Sequence, residues 1–394
     1  MDMPIGFRMA GVSCAIKASG KKDVTLIVAD EEAVSAGVYT QNKVVAAPVV
    51  LCRARTPGDS ARAVIINSGN ANACTGTQGE RDAARMCQVT AEHVGISPDQ
   101  CLLMSTGIIG VPLPMSKVEE GIHLAYQQLG NSEQHFLDAA DGILTTDKSR
   151  KIASCEFNLG DRSIRIAAMA KGAGMIGPNM ATMLCQILTD APLTPEDAQA
   201  ILARVANRSF NNISVEGHTS TNDTMLLLSS CKAGGPTLTG AQIDAFESEL
   251  ATLCIDLAKQ IPTDGEGASH LIEIQVTGAA SESDARAISE TIASSNLVKT
   301  AIYGSDPNWG RIVSAAGYAK CTLDTNHIGL SINGIELFRQ GQPIEFCEQT
   351  ASRSIAENPT TVIEIVVGSG PGSCTHWTSD LTVEYVRFNS EYTT

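Results

Sequence analysis

A layered fold of mixed α/β type is what this sequence predicts, on three observations. Short apolar runs alternate with amphipathic stretches, the 394 residues are enough for two domains, and 34 glycines stand against only 4% aromatics. Small residues let backbones approach closely, as layered sheets and loop-built pockets require.

The strand candidates are 24–29, 49–52, 63–66, 163–168, 224–228, 271–276, 361–367 and 382–388, rich in Val and Ile and bounded by Gly, Asn or Asp. Helices show a clearer period. In 239–261, Ile243, Phe246, Leu250, Leu253 and Leu257 recur at spacings of three and four, which paints one apolar stripe. Thr194-Pro195 reads as an N-cap followed by Pro at the first helical position, opening a helix through about Val205. Pro114, Ser116, Val118, Ile122, Ala125 and Leu129 describe another. No tandem repeat or low-complexity linker appears, and the Ser/Ala/Asp-rich stretch 279–285 is the expected domain boundary.

Composition excludes several classes of function. A net charge of −15 disfavours nucleic acid and anionic membrane as partners. The opening MDMPIGFRMAG has neither the pattern of a secretory signal nor that of a transit peptide, and no apolar run reaches the ~18 residues of a membrane span. Twelve cysteines without a CxxC pair point to reduced core thiols, so a cytoplasmic protein is expected. Seven scattered histidines offer no metal-ligand pattern.

The most unusual segment is Lys171-Gly172-Ala173-Gly174-Met175-Ile176-Gly177-Pro178-Asn179-Met180-Ala181-Thr182-Met183-Leu184, a Gly-rich connection between two strand-like runs. It contains a literal GxGxxG, with Asp190 near the spacing of a ribose-binding acid. However, Pro178 and a short apolar run follow where a crossover helix should stand, so a dinucleotide site is rejected. Two readings of the spacing remain open: a plain tight turn with an ordinary strand Thr, or a loop with a chemical task. In the second, Thr182 attacks the carbonyl of Ala181, and hydrolysis frees an α-amine of pKa ~7.7–8.0 that takes the proton from its own hydroxyl.

Beyond that segment stand Asn67-Ser68-Gly69-Asn70-Ala71-Asn72-Ala73 with Thr75-Gly76, Ser105-Thr106-Gly107, Thr145-Thr146-Asp147, Ser220-Thr221-Asn222-Asp223-Thr224, Asp264-Gly265-Glu266-Gly267-Ala268, Asp306-Pro307-Asn308-Trp309-Gly310-Arg311 and Asn389-Ser390-Glu391-Tyr392-Thr393-Thr394. Together and in this order they resemble the blocks of the ornithine acetyltransferase (glutamate N-acetyltransferase) family of arginine biosynthesis, from end to end of the chain.

The resemblance implies an αββα-type sandwich like that of the N-terminal-nucleophile enzymes of the DmpA and ornithine acetyltransferase kind. It implies a nucleophile domain over 1–280 and a smaller C-terminal α/β domain over 281–394 whose tail returns to the active site. It implies cleavage between Ala181 and Thr182, an α chain 1–181 and a β chain 182–394, and acetylation of Thr182 in a ping-pong cycle from N2-acetylornithine to glutamate. Thr106 and Gly107 would hold the oxyanion, and Thr145, Lys171, Thr182, Glu266, Asn389 and Thr394 would touch substrate. Lys171 suits a carboxylate and Glu266 an ammonium. No cofactor or metal is expected, acetyl-CoA is a candidate second donor, and two α and two β chains are the expected assembly.

The block at 306–311 carries no assigned chemistry and is read as structural. Two departures from the family pattern stand out. Glu216-Gly217-His218 replaces a commoner Asp-Gly-Asp, and Ser379 stands where Cys is common. The competing functions are an amidohydrolase or aminopeptidase of the same fold, in which water resolves the acyl-enzyme, and a non-catalytic relative, which the intact Thr182, Thr106, Gly107 and Lys171 oppose.

Overall fold

The computed structural model describes residues 3–177 and 183–391. The first sheet is built from β1 (Phe7–Val12), β2 (Val24–Tyr39), β3 (Gly58–Asn70), β4 (Cys101–Ile108), β5 (Lys151–Leu159), β6 (Arg162–Lys171), β7 (Leu184–Thr189) and β9 (Thr224–Ser229); the two-residue β8 (Ile213–Ser214) belongs elsewhere. The helices of this part are α1 (Ala47–Arg53), α2 (Gly76–Val94), α3 (Met115–Gln127), α4 (Glu133–Gly142), α5 (Pro195–Arg208) and α6 (Ala241–Thr263). Strand order is β4-β3-β2-β9-β7-β6-β5, with β1 beside β2.

The 16-residue β2 turns this sheet into a sandwich. Its first half pairs with β3 from Val24↔Asn67 to Val28↔Ala63, and its second half pairs with β9 from Val34↔Ser229 to Tyr39↔Thr224. The register slips between Val28 and Ser35, where Asp30, Glu31 and Glu32 are exposed. A strand that changes partners at such an irregularity makes a corner. The two halves then bury one face against each other. Ala167 and Met169 of β6, Leu184 and Leu188 of β7, and Leu226 and Leu228 of β9 share a core with Leu26, Val28, Ile65 and Met104. The alternate residues Ile166, Ala168, Cys185, Ile187, Met225 and Leu227 face α5 and α6 instead. On the far side of the β2–β3–β4 half, Met86, Ile122 and Phe136 seat α2, α3 and α4. The layers are therefore αββα, as expected, and each fully buried Leu or Ile contributes about 1.5–3 kcal/mol.

The second sheet contains β10 (Leu271–Ala279), β11 (Gly329–Ile332), β12 (Ile335–Arg339), β13 (Gln342–Pro343), β14 (Thr360–Val366) and β15 (Gly372–Ser379), in order β13-β12-β11-β14-β10-β15-β8. Its core joins Ile272, Ile274, Ile363 and Ile365 to α7 (Glu282–Ala293), α8 (Asn296–Tyr303) and α9 (Trp309–Gly317) through Ile288, Val298 and Ile312. α10 (Glu348–Ala356) adds Ile355, and α11 (Val383–Glu391) ends the described chain. The first long strand of this sheet begins at Leu271, just ahead of 279–285. In the 306–311 block, Asn308 caps α9 by accepting from Arg311 N, and Trp309 stacks on Phe338. No helix among the described residues is long and apolar enough to cross a membrane.

Most of the expected elements form. Thr194 accepts a hydrogen bond from Asp197 N at the start of α5, and the 239–261 stripe is α6, with Phe246, Leu250 and Leu257 buried. Two strand expectations are corrected. Residues 49–52 lie in α1, opened by Pro48 in its first turn. Residues 382–388 form the start of α11. There Thr382 Oγ1 accepts from Tyr385 N at 3.0 Å, and Glu384 pairs with Arg387 one turn on.

Candidate active site

Folding the sheet at β2 brings the end of β4 opposite the end of β6. Thr106 and Gly107 close β4, and Lys171 closes β6. The Lys171 ammonium, buried, donates to Thr106 Oγ1 at 3.4 Å across this gap. A pocket opens beside them, lined by Thr106, Gly107, Thr145, Lys171, Glu266 and Asn389. Six of the expected site residues thus meet from five separated segments. Ala181, Thr182 and Thr394 lie outside the described residues.

The Thr106-Gly107 corner has little freedom. Gly107 has φ +134°, and a Cβ there would lie 2.3 Å from the Gly69 carbonyl carbon and 2.4 Å from Asn70 N. Only glycine fits both the angle and the approach. Behind it, Ser105 Oγ donates to Asn67 Oδ1 at 2.6 Å, and Asn67 Nδ2 donates to Asn70 O at 2.8 Å. Asn222 Nδ2 reaches across from the start of β9 to Ala71 O at 2.6 Å and Ser105 O at 2.9 Å. The 67–73 and 220–224 blocks therefore brace the 105–107 block.

A second network fixes Lys171. Asp147 Oδ1 accepts from Gly172 N at 2.7 Å and from Lys151 Nζ at 2.7 Å, while its Oδ2 accepts from Thr145 N at 2.9 Å. Lys151 Nζ also donates to Asp264 Oδ2 at 2.6 Å. Burial alone would raise the Asp147 carboxyl, but Lys171, Lys151 and these bonds hold it well below the usual carboxylate range. Burial moves Lys171 the other way, lowering its ammonium, with Asp147 opposing.

The opposite wall carries the acid. Glu266 Oε1 accepts from Thr146 Oγ1 at 2.7 Å, and Oε2 accepts from Asn389 Nδ2 at 3.1 Å. Glu266 N is held by Ala173 O at 2.8 Å, and a Cβ on Gly174 would lie 2.3 Å from Glu266 Oε2. Asn389 is delivered by α11, which sits on the loop after Glu266: a Cβ on Gly267 would lie 2.3 Å from Tyr385 N. α11 thus brings Asn389 to the pocket.

The connection from β6 to β7 carries the backbone irregularities: Gly172 at φ +153° and Met175 at φ +58°. Ile176 O accepts from Val215 N and Gly217 N, and a Cβ on Gly177 would meet the Gly217 carbonyl at 2.7 Å. The departure at 216–218 therefore lies directly against the central segment. Burial pushes the Glu216 carboxyl up to about 7, with Glu266 adding to the rise, and its Oε2 makes no hydrogen bond among the described residues. On the far side of the connection, Met183 N donates to Asp223 Oδ1 at 3.3 Å, and burial holds that carboxyl well above its usual range.

Sequence reasoning gave no role to Asp147, Lys151, Asp223, Asn222 or Asp264. Their signal was polar residues flanking apolar strands, which is weak until the fold shows the partners. Among the described residues, no group of three or more His, Cys, Asp or Glu could hold a metal ion.

Comparison with known proteins places these residues in a family. A profile of the ArgJ family matches residues 8–394. The arginine biosynthesis bifunctional protein ArgJ of Rhodopirellula baltica is 49% identical over 395 residues, covering 100% of this chain and 96% of that protein. A crystal structure of the corresponding protein from Bacillus halodurans is 41% identical, with a TM-score of 0.51, over 52% of this chain and 96% of the solved chain. The ornithine acetyltransferase of Mycobacterium tuberculosis, solved in complex with ornithine, is 33% identical with a TM-score of 0.40, over 44% of this chain and 92% of that one.

Proposed function

The chain belongs to the ArgJ family, and from that premise we propose that it is an ornithine acetyltransferase, moving acetyl from N2-acetylornithine to glutamate through Thr182. The observation that carries the reading is the convergence of Thr106, Gly107, Thr145, Lys171, Glu266 and Asn389 on one pocket.

In this reading the chain is cut between Ala181 and Thr182, and the freed α-amine takes the proton of the Thr182 hydroxyl. The Oγ attacks the acetyl carbonyl, and ornithine leaves with a proton. The negative charge that develops on the carbonyl oxygen is met by Gly107 N–H and the Thr106 hydroxyl. Lys171 sharpens this arrangement. By donating to Thr106 Oγ1 it occupies a lone pair, which leaves the hydroxyl proton free to point at the substrate. That contact favours Lys171 as a partner of the oxyanion wall over a direct carboxylate partner. Glu266 keeps acceptor capacity beyond its two bonds, which suits an ammonium group of ornithine or glutamate. Glutamate's amine then attacks the acetyl ester and restores Thr182.

Cleavage is supported by the connection's strained backbone and by the half-length of the solved Bacillus halodurans chain, which 52% of this chain nearly spans. A two-part division is supported by the second sheet's own core, whose cluster runs from Ile272 to Val367 and so draws the boundary toward 270 rather than the expected 280. A reducing, cytoplasmic setting fits the free cysteines. Two α and two β chains, and acetyl-CoA as a second acetyl donor for glutamate, complete the reading.

The test is release of ornithine from acetylornithine with and without glutamate, alongside a denaturing gel. Two fragments and glutamate-dependent release are expected. Release indifferent to glutamate would make the protein an amidohydrolase, and an uncut chain of full activity would remove Thr182 from the mechanism.

A further inference from the structure

We propose that a basic cavity beside the active-site pocket binds the phosphates of a large acyl donor, a thioester on a phosphate-bearing carrier. This rests on the reading above, in which acetyl can also arrive from a thioester. The active-site pocket offers only about 90 Å³, too little for such a carrier. The neighbouring cavity offers about 720 Å³, within the about 300–1,000 Å³ of ligand pockets. Thr145 lines both, so the cavity and the active-site pocket share a wall residue.

Its charge is opposite to that of the protein. In a chain of net charge −15, this cavity gathers Lys17, Lys21, Lys22, Lys148 and Arg150. Two of these are already answered: Lys22 pairs with Asp138 at 2.6 Å and Arg150 with Asp141 at 2.5 Å. Asp147, the other acid on the wall, is engaged by Lys151 and Gly172 N. Lys17 is held in place by donating to Leu144 O at 2.7 Å and to Lys22 O. Lys21 and Lys148 make no ion pair or side-chain hydrogen bond among the described residues. They come from two segments, the β1–β2 connection and the 143–150 connection. A cavity lined by two unanswered lysines from separate segments suits an anion with more than one phosphate.

The step it serves balances without a further reagent. The Thr182 Oγ–C bond forms as the thioester C–S bond breaks, and the hydroxyl proton passes through the α-amine to the departing thiolate. Glutamate's amine then forms the C–N bond, the C–O bond breaks, and the amine's proton returns to Oγ.

The test compares the cleaved wild-type enzyme with Lys21→Glu/Lys148→Glu. Neither residue belongs to the catalytic pocket. In acetyl-CoA-dependent acetylation of glutamate, the double variant should raise the KM for acetyl-CoA about tenfold or more, with kcat kept. Exchange between acetylornithine and glutamate should stay within about twofold, since those substrates carry no phosphate. Calorimetry with adenosine 3′,5′-bisphosphate should show binding to wild type that the variant loses. An unchanged KM would overturn the proposal. So would wild-type exchange without turnover of acetyl-CoA, or a cavity that binds pyrophosphate but not the bisphosphate, which would mark a site for free phosphates. Loss of exchange in wild type would instead sink the proposed function itself.

Discussion

The two walls of the pocket are built in different ways. The proposed oxyanion wall is made of strand ends, with Thr106, Lys171, Asp147 and Asn222 all buried and each held by at least one hydrogen bond from a distant segment. The proposed recognition wall is a loop acid steadied by the helix α11. Glu266 leans on Thr146 and Asn389, and α11 buries none of its own residues, leaving Val383 and Val386 about 60% exposed. The contrast suggests a division of labour. Groups that meet developing charge need geometry fixed before the reaction, whereas groups that meet a substrate's ends tolerate adjustment.

The contrast can be broken from the rigid side first. Thr182→Ala should leave one full-length band on a denaturing gel and no acetyl exchange, the largest effect expected anywhere in the chain. Gly107→Ala should come next, because a Cβ there collides with Gly69 and Asn70. A fall in kcat of up to about 10²–10³-fold is expected from displacing the backbone donor, read by steady-state kinetics on the cut enzyme. The recognition wall should yield more gently. Asn389→Ala removes one bond to Glu266 and should raise the KM for acetylornithine about tenfold, with circular dichroism unchanged. An equal loss in kcat would show that the tail belongs to the rigid wall.

The smallest effect concerns Glu216, whose carboxyl feels the charge of Glu266. Its folded carboxyl is raised from 4.5 to about 7 by burial. A raised carboxyl stabilises the fold fully below the unfolded value of 4.5, and that contribution is lost as pH rises through 7. Thermal midpoints measured from pH 4.5 to 8 should therefore fall more steeply for wild type than for Glu216→Gln, by about 2–4 °C. Parallel curves would show that Glu216 does not titrate in this window.

Legibility in the sequence followed locality. The long stripe of α6 and the capped start of α5 were readable because period and cap sit within a few residues of each other. Residues 49–52 and 382–388 were misread because a short apolar run has no period long enough to separate strand from helix. The corner in β2, which creates the sandwich, leaves only three charged residues as its trace. At the site, Ser105-Thr106-Gly107 is made of common turn residues and the tail is a polar terminus, so neither carries a local signal of function. The family resemblance supplied their roles, while Lys151 meets Asp264 only when residues 113 positions apart are joined, and Asp147 meets Gly172 only across 25.

The strand order has one more consequence. β7 and β9, from beyond residue 182, lie between β2 and the β6–β5 pair, from before it. Two fragments made by a cut at 181–182 would be interleaved within a single ladder, with Ala170↔Cys185 on one side and Tyr39↔Thr224 on the other. Dilution has no separable interface to act on, so the pair would part only by unfolding. Halves synthesised apart would have to thread two central strands into a finished sheet. Such an enzyme would be born as one chain, and its break would be a record of maturation rather than a joint.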